Sequence, residues 1–160
     1  MRASVNPQRV IHNPVHIVAF GFGTGLSPVA PGTVGTLLGF PLYWFIMGQS
    51  PLIQAVVVAG AFAVGVWICD VTGRAIGEAD HSGIVWDEIV CFAMVLCFIP
   101  ATVYWWIAAF VVFRFFDIVK LWPASWIDNQ LKNGAGVMLD DLVAGIFSIV
   151  VLLALQKLIN

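Results

Sequence analysis

Five long apolar stretches, separated by shorter polar segments, dominate the chain. They cover approximately residues 33–47, 52–69, 84–99, 103–119 and 138–156. A membrane-spanning helix needs about 20 apolar residues, within a range of about 17–25, and each stretch reaches or approaches the lower limit. The pattern therefore predicts an all-α fold, a polytopic membrane helix bundle with about five transmembrane helices.

The chain before the first of these stretches divides into two parts. Residues 15–26 are apolar but too few to cross a bilayer, so we expect an interfacial or re-entrant segment that folds against the other helices. Residues 1–14 form a polar N-terminal tail. With no internal repeat or linker, residues 1–160 are predicted to form a single integral membrane domain.

Composition favours a membrane protein over a soluble one. Hydrophobic residues make up 61% of the chain and charged residues 10%, whereas a soluble domain is about half apolar and about a quarter charged. The predicted environment is therefore the lipid bilayer. The net charge of -2 gives no reason to expect a nucleic-acid partner, and the sequence leaves the oligomeric state open.

The distribution of charge predicts an orientation. All but one of the basic residues fall on the side of the predicted bundle that holds the N-terminus, and basic residues concentrate on the cytoplasmic side of membrane proteins. We therefore expect the N-terminus and the polar loops 70–83 and 120–137 to be cytoplasmic. The six basic residues are Arg2, Arg9, Arg74, Arg114, Lys120 and Lys132. All nine acidic residues fall on the same side, which predicts an active site there.

The strongest chemical signal is two pairs of adjacent acids, Asp87-Glu88 and Asp140-Asp141, each in an apolar context. Charges at membrane depth are costly and usually mark a functional site. Carboxylates gathered in one place repel one another, and a divalent cation would relieve that repulsion. The alternative is that the acids only mark helix starts, where the helix dipole favours them. This alternative does not explain Asp117, which is predicted at the C-terminal end of a helix.

Arg114, Asp117 and Lys120 are spaced three residues apart, which predicts one stripe along the end of the fourth helix. Arginine and lysine in such a stripe suit a phosphate group. The alternative is a local salt bridge with basic side chains reaching toward the membrane surface.

Two weaker signals lie in the connecting segments. Gly32 and Thr33 open the first apolar stretch, where free backbone N–H groups could hold a phosphate; the glycines of residues 35–39 could instead allow close helix packing. His81 stands next to Asp80 and could carry a proton during catalysis. A histidine in an exposed loop without a catalytic role is the alternative.

Together, these motifs resemble the bacterial phosphatidylglycerophosphatase A family. The resemblance lies in Trp86-Asp87-Glu88, in Phe113-Arg114 with Asp117 and Lys120, and in residues 140–145 (DDLVAG). Residues 21–28 (GFGTGLSP) and 31–33 (PGT) extend it, so that it runs from about residue 13 to 145. The chain departs from the family pattern at Leu121, where the family tends to have proline, and at Cys91, where it tends to have glycine.

The resemblance implies a magnesium-dependent phosphatase of the bacterial inner membrane. Its reaction would remove the terminal phosphate of phosphatidylglycerophosphate to give phosphatidylglycerol, so the expected partner is a membrane phospholipid substrate. The expected Mg²⁺ ligands are Glu88, Asp140 and Asp141, with Asp87 as a further ligand or orienting group. Asp117 joins them as a candidate catalytic residue, and Arg114 and Lys120 would neutralise the phosphate.

Three other functions remain compatible with the sequence. A different lipid-phosphate phosphatase would use the same residues. A small ion or proton transporter would use intramembrane carboxylates as a relay, but it predicts acids distributed across the bilayer. A non-catalytic membrane scaffold would pair the acids with a basic partner.

Overall fold

The protein is described by a computed structural model that covers residues 12–159. Most of the predicted polar tail, including Arg2 and Arg9, lies outside the described residues. All regular secondary structure in residues 12–159 is helical, with no β-strand. The helices are α1 (Pro14–Ala19), a 3-10 segment (Gly21–Leu26), α2 (Pro31–Thr36), α3 (Gly39–Ile46), α4 (Pro51–Ile76), α5 (Trp86–Leu96), α6 (Val103–Val119), α7 (Ala124–Gln130) and α8 (Gly134–Ile159).

Two helices in the described part of the chain, α4 and α8, are long and apolar enough to cross a membrane. Each has 26 residues, which corresponds to about 39 Å at 1.5 Å per residue. Helix α6 coincides with the predicted stretch 103–119, but its 17 residues extend only about 26 Å. Two candidate spans are therefore found, and the prediction of about five is not confirmed.

The predicted first span is divided between α2 and α3. Pro41 has no N–H to donate to the carbonyl of Leu37, and that carbonyl instead accepts the N–H of Phe40 at 3.2 Å. The N–H of Leu38 likewise reaches only three residues back, to Gly35, at 2.8 Å. These shorter i→i+3 bonds separate two helices of six and eight residues. The predicted continuous helix over residues 33–47 is therefore wrong.

The predicted boundaries of the polar loops are also corrected. Helix α4 continues past residue 70 to Ile76 and is capped by Gly77, with φ +84°; Asp70 and Arg74 pair one turn apart along it at 2.7 Å. Helix α8 begins at Gly134 rather than at residue 138. Its first N–H donates to the Asp70 carboxylate at 3.3 Å, which joins the C-terminal part of α4 to the N-terminal end of α8. The predicted loop 120–137 also contains the short helix α7.

Helix α8 is the central element of the bundle and packs against α4, α5, α6 and α7. Toward its C-terminal end the core is largely aromatic: the ring of Phe92 contacts Phe40, Phe110 and Phe113. Helix α1 and the 3-10 segment fold against the bundle, where His16 of α1 meets the hydroxyl of Thr72 at 2.9 Å. The expectation that residues 15–26 fold against the other helices is confirmed.

The outer surface of the bundle is strongly apolar. Large hydrophobic side chains stay exposed along the long helices, among them Leu52, Val56 and Trp67 on α4 and Val150 on α8. Soluble monomers rarely expose continuous apolar surface of this kind. The surface is consistent with a protein that lies in a bilayer.

Candidate active site

A cavity of about 480 Å³ opens at the end of the bundle where α5 begins and α6 ends. It collects most of the ionisable residues that the sequence singled out. Six carboxyl groups and two cationic side chains line it, together with the start of α2 and part of the loop between α4 and α5. The lining residues are Ala30, Pro31, Gly32, Asp80, Ser82, Ile84, Asp87, Glu88, Arg114, Asp117, Ile118, Lys120, Asp140 and Asp141.

The start of α5 is fixed from two sides. The N–H of Val85 donates to the carbonyl of Ala19 at 2.9 Å, and the indole N–H of Trp86 donates to the carbonyl of Ala61 at 3.1 Å. These bonds connect α5 to α1 and α4. They place Asp87 and Glu88, which form the first turn of α5, at the wall of the cavity.

Arg114 occupies the inner part of the cavity and holds two carboxylates. Its Nη1 lies 2.5 Å from Oδ2 of Asp117 and 3.1 Å from Oε1 of Glu88. The same nitrogen donates to the hydroxyl of Thr36 at 3.3 Å, and that hydroxyl donates in turn to the carbonyl of Gly32 at 2.7 Å. Helices α2, α5 and α6 are therefore joined through one guanidinium group.

Because Gly32 has no side chain, it leaves room for the side chains of Glu88 and Arg114 to contact each other. A methyl group at this position would overlap Oε1 of Glu88 and approach Nη2 of Arg114 to 3.2 Å. Gly35 and Gly39 instead press against Val85 and Phe92 of the α5 region. Close packing, the alternative to phosphate binding, thus accounts for Gly35 and Gly39, whereas Gly32 belongs to the cavity.

Replacing Gly32 by alanine is expected to lower activity by about a hundredfold with little loss of stability. The atom that must move first is the end of the flexible Glu88 side chain, so the fold can adapt, while a misplacement of about 1 Å in an active site can cost about a hundredfold in rate. The matched control is Gly48→Ala, since a methyl group there meets nothing within 4 Å. Catalytic activity and thermal unfolding of both variants in detergent test this. Equal activity in the two variants would contradict it.

Lys120 does not continue the stripe formed by Arg114 and Asp117. Helix α6 ends at Val119, and Lys120 adopts a left-handed conformation with φ +46°. Its ammonium group turns to Asp140, with Nζ 2.5 Å from Oδ2, and lies 3.5 Å from Asp128 and 3.7 Å from Asp80. The two cations of the cavity therefore have separate carboxylate partners.

The charges around Lys120 shift its titration and that of its neighbours. Burial alone would lower the pKa of Lys120, but the carboxylates of Asp140, Asp80 and Asp128 together outweigh it and raise that pKa above its usual value. Burial raises the pKa of Asp80, an effect that Lys120 offsets only in part. Burial acts in the same direction on Asp128, but Lys120 and Lys132 outweigh it and hold its pKa below the usual value. Lys120 therefore stays charged at neutral pH.

Three carboxylate oxygens at the cavity are buried and lack a hydrogen-bond partner among the described residues. They are Oδ1 of Asp87, Oε2 of Glu88 and Oδ2 of Asp141. Unpaired buried carboxylate oxygens are costly, and oxygen donors of this kind suit Mg²⁺. Across residues 12–159, no three side chains of the types that ligate metals stand together in a ready metal-binding group. The residues thus fit a magnesium ion by donor chemistry, but they are not arranged around one.

Asp140 differs from these three acids because both of its oxygens are engaged. Its Oδ2 contacts Lys120, and its Oδ1 accepts the N–H of Asp141 at 3.0 Å. Asp140 and Asp141 are adjacent in sequence, yet one faces a cation and the other keeps a free oxygen.

Two predicted site residues, Thr33 and His81, do not line the cavity. Nδ1 of His81 accepts the N–H of Gly83 at 3.0 Å, its ring packs on Phe20, and its Nε2 lies 4.0 Å from Glu78. These contacts stabilise the loop before α5.

Three residues of the site, Thr36, Asp80 and Ser82, were not predicted from the sequence. Thr36 could have been found, since it follows Gly32 by four residues and so shares its helix face. Asp80 and Ser82 lie in an irregular loop that has no periodic pattern to place them.

The model of the family described as Phosphatidylglycerophosphatase A matches residues 17–156. The chain belongs to this family. Two relatives of that name agree: one from Escherichia coli is 42% identical over 138 residues (85% of this chain and 80% of the relative), and one from Haemophilus influenzae is 42% identical over 155 residues (94% and 95%). A Bacteroides thetaiotaomicron protein named putative phosphatidylinositol-3-phosphatase is 38% identical over 145 residues (85% and 89%). No solved structure matches the chain.

Membership of the phosphatidylglycerophosphatase A family makes the chain an enzyme, a phosphoric monoester hydrolase. The resemblance seen in the sequence is thereby confirmed. Nothing in these relationships favours the transporter or the scaffold.

Proposed function

We propose that the enzyme hydrolyses the terminal phosphate monoester of phosphatidylglycerophosphate, with Mg²⁺, to give phosphatidylglycerol and inorganic phosphate. The observation that carries this proposal is the set of three unpartnered carboxylate oxygens beside an anchored arginine, in one cavity of a family member. Such a cavity provides the two things that phosphoryl transfer needs most, a place for metal ions and fixed positive charge.

The charge balance of the cavity supports a role for a divalent cation. Six carboxyl groups face only two cationic side chains, so the cavity alone would repel a phosphate dianion. When bound, Mg²⁺ would neutralise charge on the phosphoryl oxygens and so make the phosphorus atom more susceptible to attack by water. Asp87, Glu88 and Asp141 are the residues that would hold it, because each has an oxygen without a protein partner.

Arg114 is proposed to bind the phosphate that leaves. Its guanidinium is already oriented by Glu88, Asp117 and Thr36. Little conformational entropy is therefore lost when the substrate binds. Glu88 contributes one oxygen to Arg114 and keeps the other free, which couples the anion-binding group directly to the proposed metal ligands. Asp117 acts by holding Arg114 in place.

Asp140 is proposed to position Lys120 rather than to ligate the metal as first expected from the sequence. Its two oxygens are taken up by Lys120 and by the backbone of Asp141. His81 and Thr33 have no part in this proposal, since neither lines the cavity.

A second substrate class deserves comparison, because the Bacteroides relative carries the name of a phosphatidylinositol-3-phosphatase. Phosphatidylglycerophosphate and a phosphatidylinositol 3-phosphate have the same chemical groups: a polyol carries a phosphate monoester and is joined to diacylglycerol by a phosphodiester. A phosphatase for another lipid with these groups would use the same cavity. Comparing phosphate release from the two lipids under the same conditions distinguishes the two functions.

Removing the metal tests the role of Mg²⁺. Purified enzyme treated with a chelator and then dialysed is expected to lose phosphate release from phosphatidylglycerophosphate and to recover it when Mg²⁺ is added. Full activity after the metal has been removed, as checked by elemental analysis, would contradict the magnesium proposal.

We further propose that the enzyme lies in the bacterial inner membrane as a multi-pass protein with its cavity on the cytoplasmic side. The apolar surfaces of α4 and α8 support a membrane location, and the clustering of basic residues supports the orientation. On that orientation, the connection between α3 and α4 lies on the opposite side.

Cysteine labelling tests this orientation. Cysteine at Gln130, which is exposed at the end of α7, is expected to react with a membrane-impermeant thiol reagent only from the cytoplasmic side. Cysteine at Gln49, exposed before α4, should react only from the other side. Labelling of both positions from one side would contradict the topology.

A further inference from the structure

The two cations of the cavity form separate anion-binding positions. Arg114 interacts with Glu88, Asp117 and Thr36, whereas Lys120 interacts with Asp80, Asp128 and Asp140. These two sets have no residue in common. Each cation is therefore held in its own place, independently of the other.

The position at Arg114 shares a carboxyl group, that of Glu88, with the proposed metal ligands. Oε1 of Glu88 accepts a hydrogen bond from Arg114, and its Oε2 has no partner, like the free oxygens of Asp87 and Asp141 in the same cavity. The reacting phosphate therefore belongs at Arg114. Lys120 contacts none of the three proposed metal ligands directly; its partner Asp140 is linked to them only through the backbone N–H of Asp141.

The position at Lys120 is the more open of the two. The Lys120 side chain is 29% exposed and its partner Asp80 is 43% exposed, compared with 14% for Arg114. Lys120 also adopts φ +46°, a conformation that glycine would accept with less strain. Because the chain turns at this residue, its ammonium group points toward Asp140 and the cavity instead of continuing along α6.

We propose that Lys120 binds the phosphodiester that joins the headgroup to diacylglycerol, while Arg114 binds the terminal phosphate monoester. The inference rests on the proposed function and defines its substrate class: lipids with a phosphodiester and a phosphate monoester on one polyol. Phosphatidate, which has a single phosphate, can occupy only one of the two positions. A cavity of about 480 Å³ is in the size range of sites that enclose a whole small ligand.

Inhibition by the two products tests the assignment, because each product carries only one of the two groups. Inorganic phosphate should compete at Arg114 and phosphatidylglycerol at Lys120. In detergent mixed micelles with phosphatidylglycerophosphate as substrate, Lys120→Gln is expected to weaken inhibition by phosphatidylglycerol by about tenfold or more, the range of a lost charge-assisted hydrogen bond. Inhibition by inorganic phosphate should change less than about twofold.

Three further variants control the experiment. Lys132→Gln removes a lysine that interacts with the same Asp128 but lies outside the cavity lining, so it should change neither inhibition constant. Lys120→Gln combined with Asp140→Asn should behave like Lys120→Gln alone, which shows that an unpaired Asp140 carboxylate is not the cause. Lys120→Arg should retain inhibition by phosphatidylglycerol.

The outcomes separate this inference from the proposed function. If wild-type enzyme releases no phosphate from phosphatidylglycerophosphate, both fail. If it does, but Lys120→Gln weakens inhibition by inorganic phosphate as strongly as inhibition by phosphatidylglycerol, or weakens neither, the function stands and the two-position assignment is overturned. The same holds if phosphatidylglycerol does not inhibit the wild-type enzyme.

Discussion

Asp141→Asn is expected to lower kcat by more than a hundredfold while the protein stays folded. Asp141 is buried, lines the cavity and has an oxygen without a partner, so the amide keeps the shape of the side chain but removes the negative charge that would hold Mg²⁺. Loss of a group that merely orients a metal ligand already costs about 10- to 100-fold, and loss of the ligand should cost more. Raising the Mg²⁺ concentration should restore part of the activity.

The control for this variant is Glu78→Gln, which makes the same chemical change at a half-exposed carboxylate outside the cavity. Phosphate release as a function of Mg²⁺ concentration is measured for both variants, and thermal unfolding in detergent shows whether each is folded. If Asp141→Asn kept wild-type kcat and wild-type dependence on Mg²⁺, Asp141 would not be a metal ligand.

Replacing Arg114 is expected to have an effect of similar size through a different route. Arg114→Gln removes the proposed phosphate-binding group and leaves Glu88 and Asp117 without their cation, although both side chains are nearly buried, at 12% and 10% exposed. Loss of one preorganised charge-stabilising donor costs about 10²- to 10³-fold in kcat. Breaking a buried ion pair also destabilises the fold, by about 3–5 kcal/mol.

Arg114→Lys separates these two effects. Lysine keeps the positive charge, but it lacks the Nη2 and Nε groups that arginine has left for the phosphate while Nη1 holds Glu88, Asp117 and Thr36. This variant should therefore be more stable than Arg114→Gln and still lose most activity. The matched control is Arg74→Gln, which removes an arginine whose side chain is 78% exposed and pairs with Asp70. Thermal unfolding and phosphate release of the three variants test this. Near wild-type activity in Arg114→Lys would show that the geometry of the guanidinium is not needed.

The sequence predicted the helical class and the long helices because their apolar stretches are continuous. The stretch 103–119 coincides with α6, and the stretches 52–69 and 138–156 lie inside α4 and α8. Hydropathy alone could not show that α4 continues past the charged pair Asp70 and Arg74, or that the carbonyl left free by Pro41 separates α2 from α3. Such features depend on individual hydrogen bonds, which average hydropathy does not report.

The sequence predicted which residues form the site, but it did not predict which of them contact one another. The sequence placed the two acid pairs and Arg114 at one end of the bundle, and the cavity contains them all. It could not distinguish Asp140 from Asp141, since adjacent residues on a helix differ only in the direction they face. The separation of Lys120 from Arg114 was also hidden, because it depends on the left-handed turn at residue 120.

The most direct test of the proposed function is phosphate release from phosphatidylglycerophosphate by the purified enzyme, with and without Mg²⁺ and with phosphatidate as a competing lipid. We expect release that requires Mg²⁺ and that a molar excess of phosphatidate scarcely inhibits. Failure of folded enzyme to release phosphate from this lipid in the presence of Mg²⁺, or equal turnover of phosphatidate, would contradict it.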